Sequence, residues 1–415
     1  MLAAAAGPAS SNAADKLVPQ HSEDVRPALK RGADGESATL ELEAFDRDFR
    51  LQLTINQRLA NVAAGSSVQL YKGTVEGVPG SWARISIQDG RPRGMIWDGS
   101  EIFVVDAAPD GVNYGAAGTV MFKLSDAVME QSVSLDGDTV ETPRDASAAY
   151  DAMIDDVRAR MQGLQSGAPD EVVEISILGD ADYLARYSSE TQARDAILTR
   201  LNNVDGIFSA QLGVQLQVVS VDIAGTHTAS LSGTTDSGKL LEELGQLRRD
   251  RTALSSTGLT HLFTGRRLNG DSAGIAYMLA LCSPRYATSL AMAHGNAVLD
   301  SLITAHEIGH VFGAPHDGED DCSGTPQGEY IMTPSISTSV ASFSQCSIDE
   351  IEAVIDSYSC VVPLPASGPA PLEPPAPPSG DGDGGGGSSG GGGGSFDPFL
   401  LLLLLALGAR RARRT

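Results

Sequence analysis

The sequence predicts two unlike folded parts in series, a small, mainly antiparallel β domain and then an α/β domain built on a mixed sheet. Three observations carry this reading. Residues 38 to 107 alternate apolar and polar positions between Gly, Pro and Asp-Gly turns. From residue 171 onward, strand-like and helix-like stretches alternate, which is the pattern of an α/β layer. "TAHEIGHVFGAPHDGED", residues 304–320, gathers three of the chain's seven histidines at the end of an apolar helical run.

Taken in order, residues 1–37 are rich in Ala, Ser, Pro and charge and read as a disordered leader. Residues 38–165 form the β part. Leu40 and Leu42, then Phe49, Leu51 and Leu53, recur with period two, the mark of half-buried strands. The part closes with "SAAYDAMIDDVRARMQGLQ", whose apolar residues have helical spacing, and "SGAPDE" marks a boundary. Residues 170–362 form the α/β part. It opens with the strand "EVVEISILGD", followed by a helix striped by Ala196, Ile197, Leu201, Val204, Ile207 and Phe208. A second strand "VQLQVVSVDI", a helix around "GKLLEELGQLRRDR" and two strand candidates within "LTHLFTGRRLNGDSAGIAYM" come next. The histidine segment then sits on a helix from about Leu299 to Phe312, stopped at Gly313.

Two segments without folding signals end the chain: a Pro/Gly/Ser-rich linker over 363–395 and an apolar-then-basic tail over 396–415. The apolar run Phe399–Ala409 is shorter than the roughly 20 residues of a spanning helix, so it reads as a processed tail, with a short weak anchor as the alternative. The first fifteen residues lack a basic n-region and carry too short an apolar stretch for a signal peptide. With 53 acidic against 29 basic residues and a net charge of -24, nucleic acid is excluded as a partner. All four cysteines, Cys282, Cys322, Cys346 and Cys360, fall in the α/β part. An even set so confined suggests two disulfides and an oxidising compartment, against the alternative of four reduced thiols.

His306, Glu307, His310, Gly313 and His316 form H-E-x-x-H-x-x-G-x-x-H. Residues four apart share a helix face, so His306 and His310 can offer their imidazoles to one ion. A straight helix would carry His316 out of reach, and Gly313 permits the turn that brings it back. Three nitrogen ligands and an open fourth position describe a catalytic zinc site, with Glu307 over the open position as general base. By chance, five such fixed positions arise on the order of 10⁻⁵ per chain of this length. His261, in a strand, and His294, beside a glycine, read as structural.

On these residues the chain resembles the metzincin metallopeptidases, and within them the adamalysin or reprolysin group of snake venom and ADAM proteases. Asp317 after the third histidine is the residue type that marks the group, and "EYIMTPS" resembles its methionine turn. Pro334, where astacins and serralysins carry tyrosine, separates the chain from those groups. The resemblance implies a mostly parallel mixed sheet with an active-site helix, Met332 as a floor beneath the metal, and Asp317 as an outer contact. It also implies a substrate-binding edge strand at Gly274, Ile275, Ala276 and Tyr277, with a plain core strand as the alternative, and disulfides pairing Cys282 with Cys360 and Cys322 with Cys346. The β part resembles the group's propeptide, yet no cysteine precedes Cys282. Latency therefore needs another ligand or steric blocking of the cleft. The tail resembles bacterial GlyGly-CTERM sorting signals, which implies a sorting protease as a partner.

The expected function is that of a secreted or surface-sorted zinc endopeptidase, made as a zymogen and acting on protein or peptide substrates, with its own propeptide as partner. A catalytically silent zinc-containing binding module is the alternative, and Glu307 argues against it because a purely structural site has no use for that residue. A calcium ion is also implied by relatives, although no compact oxygen-ligand loop stands out.

Overall fold

A computed structural model of the chain describes residues 17–107, 118–129, 133–135, 139–141, 171–336 and 341–363. The helix expected near the end of the β part, the linker beyond residue 363 and the tail lie outside these residues.

The N-terminal block is a nine-stranded, wholly antiparallel sheet. Consecutive strands from Ala28–Arg31 to Thr119–Lys123 pair in chain order, and Glu23–Asp24 joins at the far edge. The period-two residues behave as expected, since Leu40, Leu42, Phe49, Leu51 and Leu53 are all buried on one face. The Phe49 ring lies 4.8 Å from that of Phe103, four strands away in the sheet. A flat sheet would separate them by roughly 19 Å at 4.8 Å per strand, so the sheet curls over its own core.

One expectation is corrected here. Residues 17–31 are not a disordered leader: Leu17–Pro19 pairs with Ala127–Met129, Glu23–Asp24 with the strand around Val120, and Ala28–Arg31 with Ser37–Ala44. Only Leu17 and Val25 are fully buried in this stretch. Border strands leave most of their side chains in water, so their composition resembles that of a disordered segment.

The second block carries a sheet whose strands Val214–Ile223, Glu171–Gly179, Leu259–Thr264 and Thr288–Met292 run parallel to one another in that spatial order. Gly274–Met278 is added antiparallel, and Val361–Pro363 pairs antiparallel with the first part of Glu171–Gly179. The sheet is therefore mixed and mostly parallel. Glu171–Gly179, Leu259–Thr264 and Thr288–Met292 are buried nearly throughout because they lie inside the layered block, whereas Val214–Ile223 at the border alternates buried and partly exposed positions. The helix Glu190–Gln211 is capped by Ser189, whose hydroxyl accepts from the Gln192 N–H at 3.2 Å. Its predicted stripe residues Ile197, Leu201, Val204, Ile207 and Phe208 are buried, but so are Asp195, Arg200, Asn202, Asn203 and Asp205. The helix is buried on both sides, since the N-terminal block packs against its polar face.

Candidate metal centre and active site

The site helix runs Ala297–Phe312. It begins where Asn296 Oδ1 accepts from the N–H groups of Val298 and Leu299, both at 3.0 Å. It ends at Gly313, whose φ of 111° is left-handed. A side chain at Gly313 would also press on the Leu279 Cδ1 methyl at 2.7 Å, but the positive φ is what demands glycine. The chain then turns back, and His316 Nε2 comes within 3.3 Å of His306 Nε2, while His310 Nε2 lies 2.9 Å from His306 Nε2.

The other ring nitrogens explain how the three imidazoles are aimed. His306 Nδ1 donates to the Ile331 carbonyl at 2.6 Å and His310 Nδ1 to the Ala314 carbonyl at 2.8 Å. His316 Nδ1 faces Glu319 Oε2 at 3.2 Å. A carbonyl oxygen can only accept, so at His306 and His310 the proton is on Nδ1 and the Nε2 lone pair points inward. Among the described residues, this trio is the group of metal-capable side chains that forms a cluster of three or more. Lone pairs crowded together need a cation between them. Nitrogens on a tetrahedral zinc at roughly 2.05 Å would stand about 3.3 Å apart, so the donor set fits that ion. Among the described residues no second group of three or more acidic, histidine or cysteine side chains lies close enough to share an ion.

Met332 is fully buried, and a side chain at Gly309 would meet its sulfur at 2.8 Å. The methionine thus lies against the helix turn between His306 and His310. Asp317 links three pieces of the surroundings. Its N–H donates to the Met332 carbonyl at 2.8 Å, and its carboxylate accepts from Ser344 Oγ at 2.6 Å, at the start of the helix Gln345–Ile355. Burial pushes the Asp317 carboxyl above its ordinary range, against the pull of the two serine hydroxyls Ser344 and Ser347. Disulfides Cys322–Cys346 and Cys282–Cys360 fasten the loop after His316 and the segment after the added strand to the C-terminal part of the block.

Glu307 is completely buried. A side chain at Gly274 would come within 2.3 Å of Glu307 Oε1. The carboxylate therefore occupies room that only glycine leaves, between the imidazoles and the start of the strand Gly274–Met278. Ile275, Ala276 and Tyr277 continue that strand and are buried. Within its own block the strand is at the sheet edge, but in the whole chain its open side pairs with Thr139–Glu141 of the N-terminal part.

Other contributors give no clear sign in the sequence. Asp300, on the first turns of the site helix, takes Arg200 Nε and Nη2 at 2.8 and 2.6 Å and the His294 N–H at 2.8 Å. Burial disfavours its charge, but Arg200 and His294 outweigh that cost and hold its pKa at about 2. His294 is thus structural, and so is His261, buried on Ser289 and pushed down to about 3 by burial. Asn296, an N-cap before an apolar run, could have been found by the capping rule. Asp300 could not, because its partner is a hundred residues away.

The fold and this donor set define a zinc-peptidase-like centre: two imidazoles on one helix, a third after a glycine turn, a methionine floor and a glutamate facing a sheet edge. Residues 170–344 match the description Reprolysin_5, metallo-peptidase family M12. The chain is 25% identical over 421 aligned residues to the human "A disintegrin and metalloproteinase with thrombospondin motifs 14", covering 88% of this chain and 34% of that protein. It is 25% identical to the human "A disintegrin and metalloproteinase with thrombospondin motifs 3", covering 71% and 26%, respectively. To mouse "Disintegrin and metalloproteinase domain-containing protein 19" the identity is 28%, over 36% of this chain and 16% of that protein. The chain thus spans about a third or less of the length of these curated relatives. The similarities support a metallopeptidase of the metzincin, adamalysin-like group.

Proposed function

We propose that the chain is a zinc-dependent endopeptidase, made as a zymogen, that hydrolyses peptide bonds in proteins with Glu307 as general base. The observation that carries this is the convergence of three histidine Nε2 atoms next to the helix that also carries the buried Glu307, whose carboxylate packs against Gly274 of the sheet. His306, His310 and His316 would hold the zinc, which supplies Lewis acidity for activating water and polarising a carbonyl. The strand Gly274–Met278 would align an extended substrate through backbone hydrogen bonds, which accept many sequences. Glu307 would take the proton from the attacking water and deliver it to the departing amine. Residues 38–165 act in this reading as the propeptide and 170–362 as the peptidase. The two disulfides favour export to an oxidising compartment, secreted or at the cell surface. The tail over 396–415 would be the substrate of a sorting protease. Among the described residues no helix is long and apolar enough to cross a membrane.

The test uses the full chain, treated with trypsin to remove the N-terminal block and then quenched, on unfolded casein. Wild type should cut in a chelator-sensitive way, and Glu307→Gln should lose about 10²–10⁴-fold in rate while holding the same zinc. Equal zinc and equal silence in both would favour the binding-module reading instead.

A further inference from the structure

Gln211 is the last residue of the helix Glu190–Gln211, and its side chain reaches a part of the chain 130 residues away. Its Nε2 donates to the Ala341 carbonyl at 3.0 Å, and its Oε1 accepts from the Phe343 N–H at 2.7 Å. One side-chain amide thus satisfies two backbone groups, on residues i and i+2, as a peptide unit of a neighbouring strand would. Ser342, between them, accepts with its carbonyl from the Ile331 N–H at 2.8 Å. The carbonyl of Ile331 in turn takes the Nδ1–H of His306 at 2.6 Å. A path of hydrogen bonds therefore runs from Gln211 through residues 341–343 and Ile331 to the first histidine of the cluster. Packing follows the same route. Ala341, Phe343 and Ile331 are buried, and the Phe343 ring stands edge-on to Phe208 of the helix with centroids 5.4 Å apart. A side chain at Gly309 would meet Phe343 Cε1 at 3.1 Å as well as the Met332 sulfur, so the ring lies beside the methionine, against the turn that joins His306 to His310. Residues 330–334 and 341–343 belong to no helix or strand, so individual bonds rather than a ladder decide where they sit.

We propose that Gln211 is a positioning residue of the metal centre: its amide fixes residues 341–343, these hold Ile331, and the Ile331 carbonyl aims His306 at the ion. The proposal deepens the zinc-peptidase reading above and rests on its metal site. A group that bonds the far nitrogen of a ligating histidine sets the tautomer and direction of the ring, and its loss typically costs about 10–100-fold in metal affinity or activity. Gln211 acts further out along the path, so the low end, about tenfold, is expected. The amide itself is what the path needs. Leucine has a similar size, but it would leave the Phe343 N–H and the Ala341 carbonyl without their partner in a buried place. Glutamate would keep the acceptor for the Phe343 N–H while setting a carboxylate oxygen against the Ala341 carbonyl, two acceptors with no proton between them. It is therefore half of a rescue.

The experiment compares full-length wild type with Gln211→Leu, Gln211→Glu and Ile197→Val. The last trims the core on the same helix, about 21 Å from Gln211 at 1.5 Å per residue, and serves as the control for a plain loss of stability. Zinc affinity is measured by competition with a chromophoric chelator, and deuterium uptake is followed over residues 329–333. After trypsin processing and with zinc saturating, kcat and KM are measured on a short quenched fluorescent peptide. The proposal expects zinc held about tenfold more weakly by Gln211→Leu and less so by Gln211→Glu, with faster exchange over 329–333 in both. It expects kcat to fall with KM unchanged, and Ile197→Val to hold zinc as wild type does. Unchanged zinc affinity in Gln211→Leu overturns it, and so does an equal weakening in Ile197→Val, which would make Gln211 a matter of stability alone. If processed wild type binds zinc yet cuts nothing, the peptidase reading fails while the zinc comparison still decides the role of Gln211. If wild type binds no zinc, both fail.

Discussion

The helix Glu190–Gln211 buries charge on two faces, and the two faces have different partners. Arg200 turns inward and pairs with Asp300 of the site helix, within the same block. Asp205, about 140° round the helix at 100° per residue, turns outward and meets Arg58 and Arg84 of the N-terminal block. Burial makes the Asp205 charge costly, but the two guanidiniums outweigh it and lower its pKa. Arg84 is lowered by burial despite Asp205. An ion pair inside a block lasts as long as the fold. An ion pair shared between blocks leaves each partner able to return to water when the blocks separate. On the proposed zymogen reading, the outer face of the helix is polar because it would become surface when the N-terminal block is removed, while the inner face fixes the helix that carries the histidines.

Substitution at each face should separate the two roles. Asp300→Asn should cost about 3–5 kcal/mol in urea unfolding, because it strands a buried arginine, and the loss should persist after the N-terminal block is removed. Asp205→Asn should cost about as much in the full chain, where two buried guanidiniums lose their partner, and almost nothing in the processed chain. Equal losses in both forms for Asp205→Asn would break the comparison. A smaller effect is expected at the site itself. Gly274→Ala pushes Glu307 aside, and a displacement near 1 Å costs about 10²-fold in turnover, with zinc content unchanged. The smallest effect concerns the start of the first strand of the second block. Burial, and then the neighbouring Asp356, push the Glu171 carboxyl up to about 7. The native state thus holds this proton more tightly than the unfolded chain, whose group titrates near its ordinary 4.5. Its contribution is present at low pH and is lost as pH rises toward 7. Glu171→Gln should raise Tm by about 1–3 °C at pH 8 and leave it unchanged at pH 4.

The same contrast explains what could be read from the sequence. The two histidines of the helix, the glycine turn and the third histidine are local in sequence, so periodicity and spacing were enough to bring them together. The antiparallel pairing of the first sheet is legible for a similar reason, since hairpins between neighbouring strands follow from alternation and turns, whereas its curl depends on contacts such as Phe49–Phe103 between strands far apart in sequence. Pairings distant in sequence were not legible. Thr139–Glu141 is three residues with no apolar alternation, and nothing local joins it to Ala276–Met278. Residues 17–31 hide as border strands, and Leu135 is a lone leucine between aspartates and serines. The apolar stripe of Glu190–Gln211 identified one buried face, but the charged residues on the other face look solvated until their partners from the N-terminal block are in place.

The most direct test of the account is zinc K-edge absorption on the purified, zinc-loaded full-length chain. The account predicts one zinc bound by three imidazole nitrogens at about 2.0–2.1 Å, with no sulfur in the first shell, because all four cysteines are in disulfides. A sulfur scatterer near 2.3 Å, or zinc that survives His310→Ala unchanged, would contradict it.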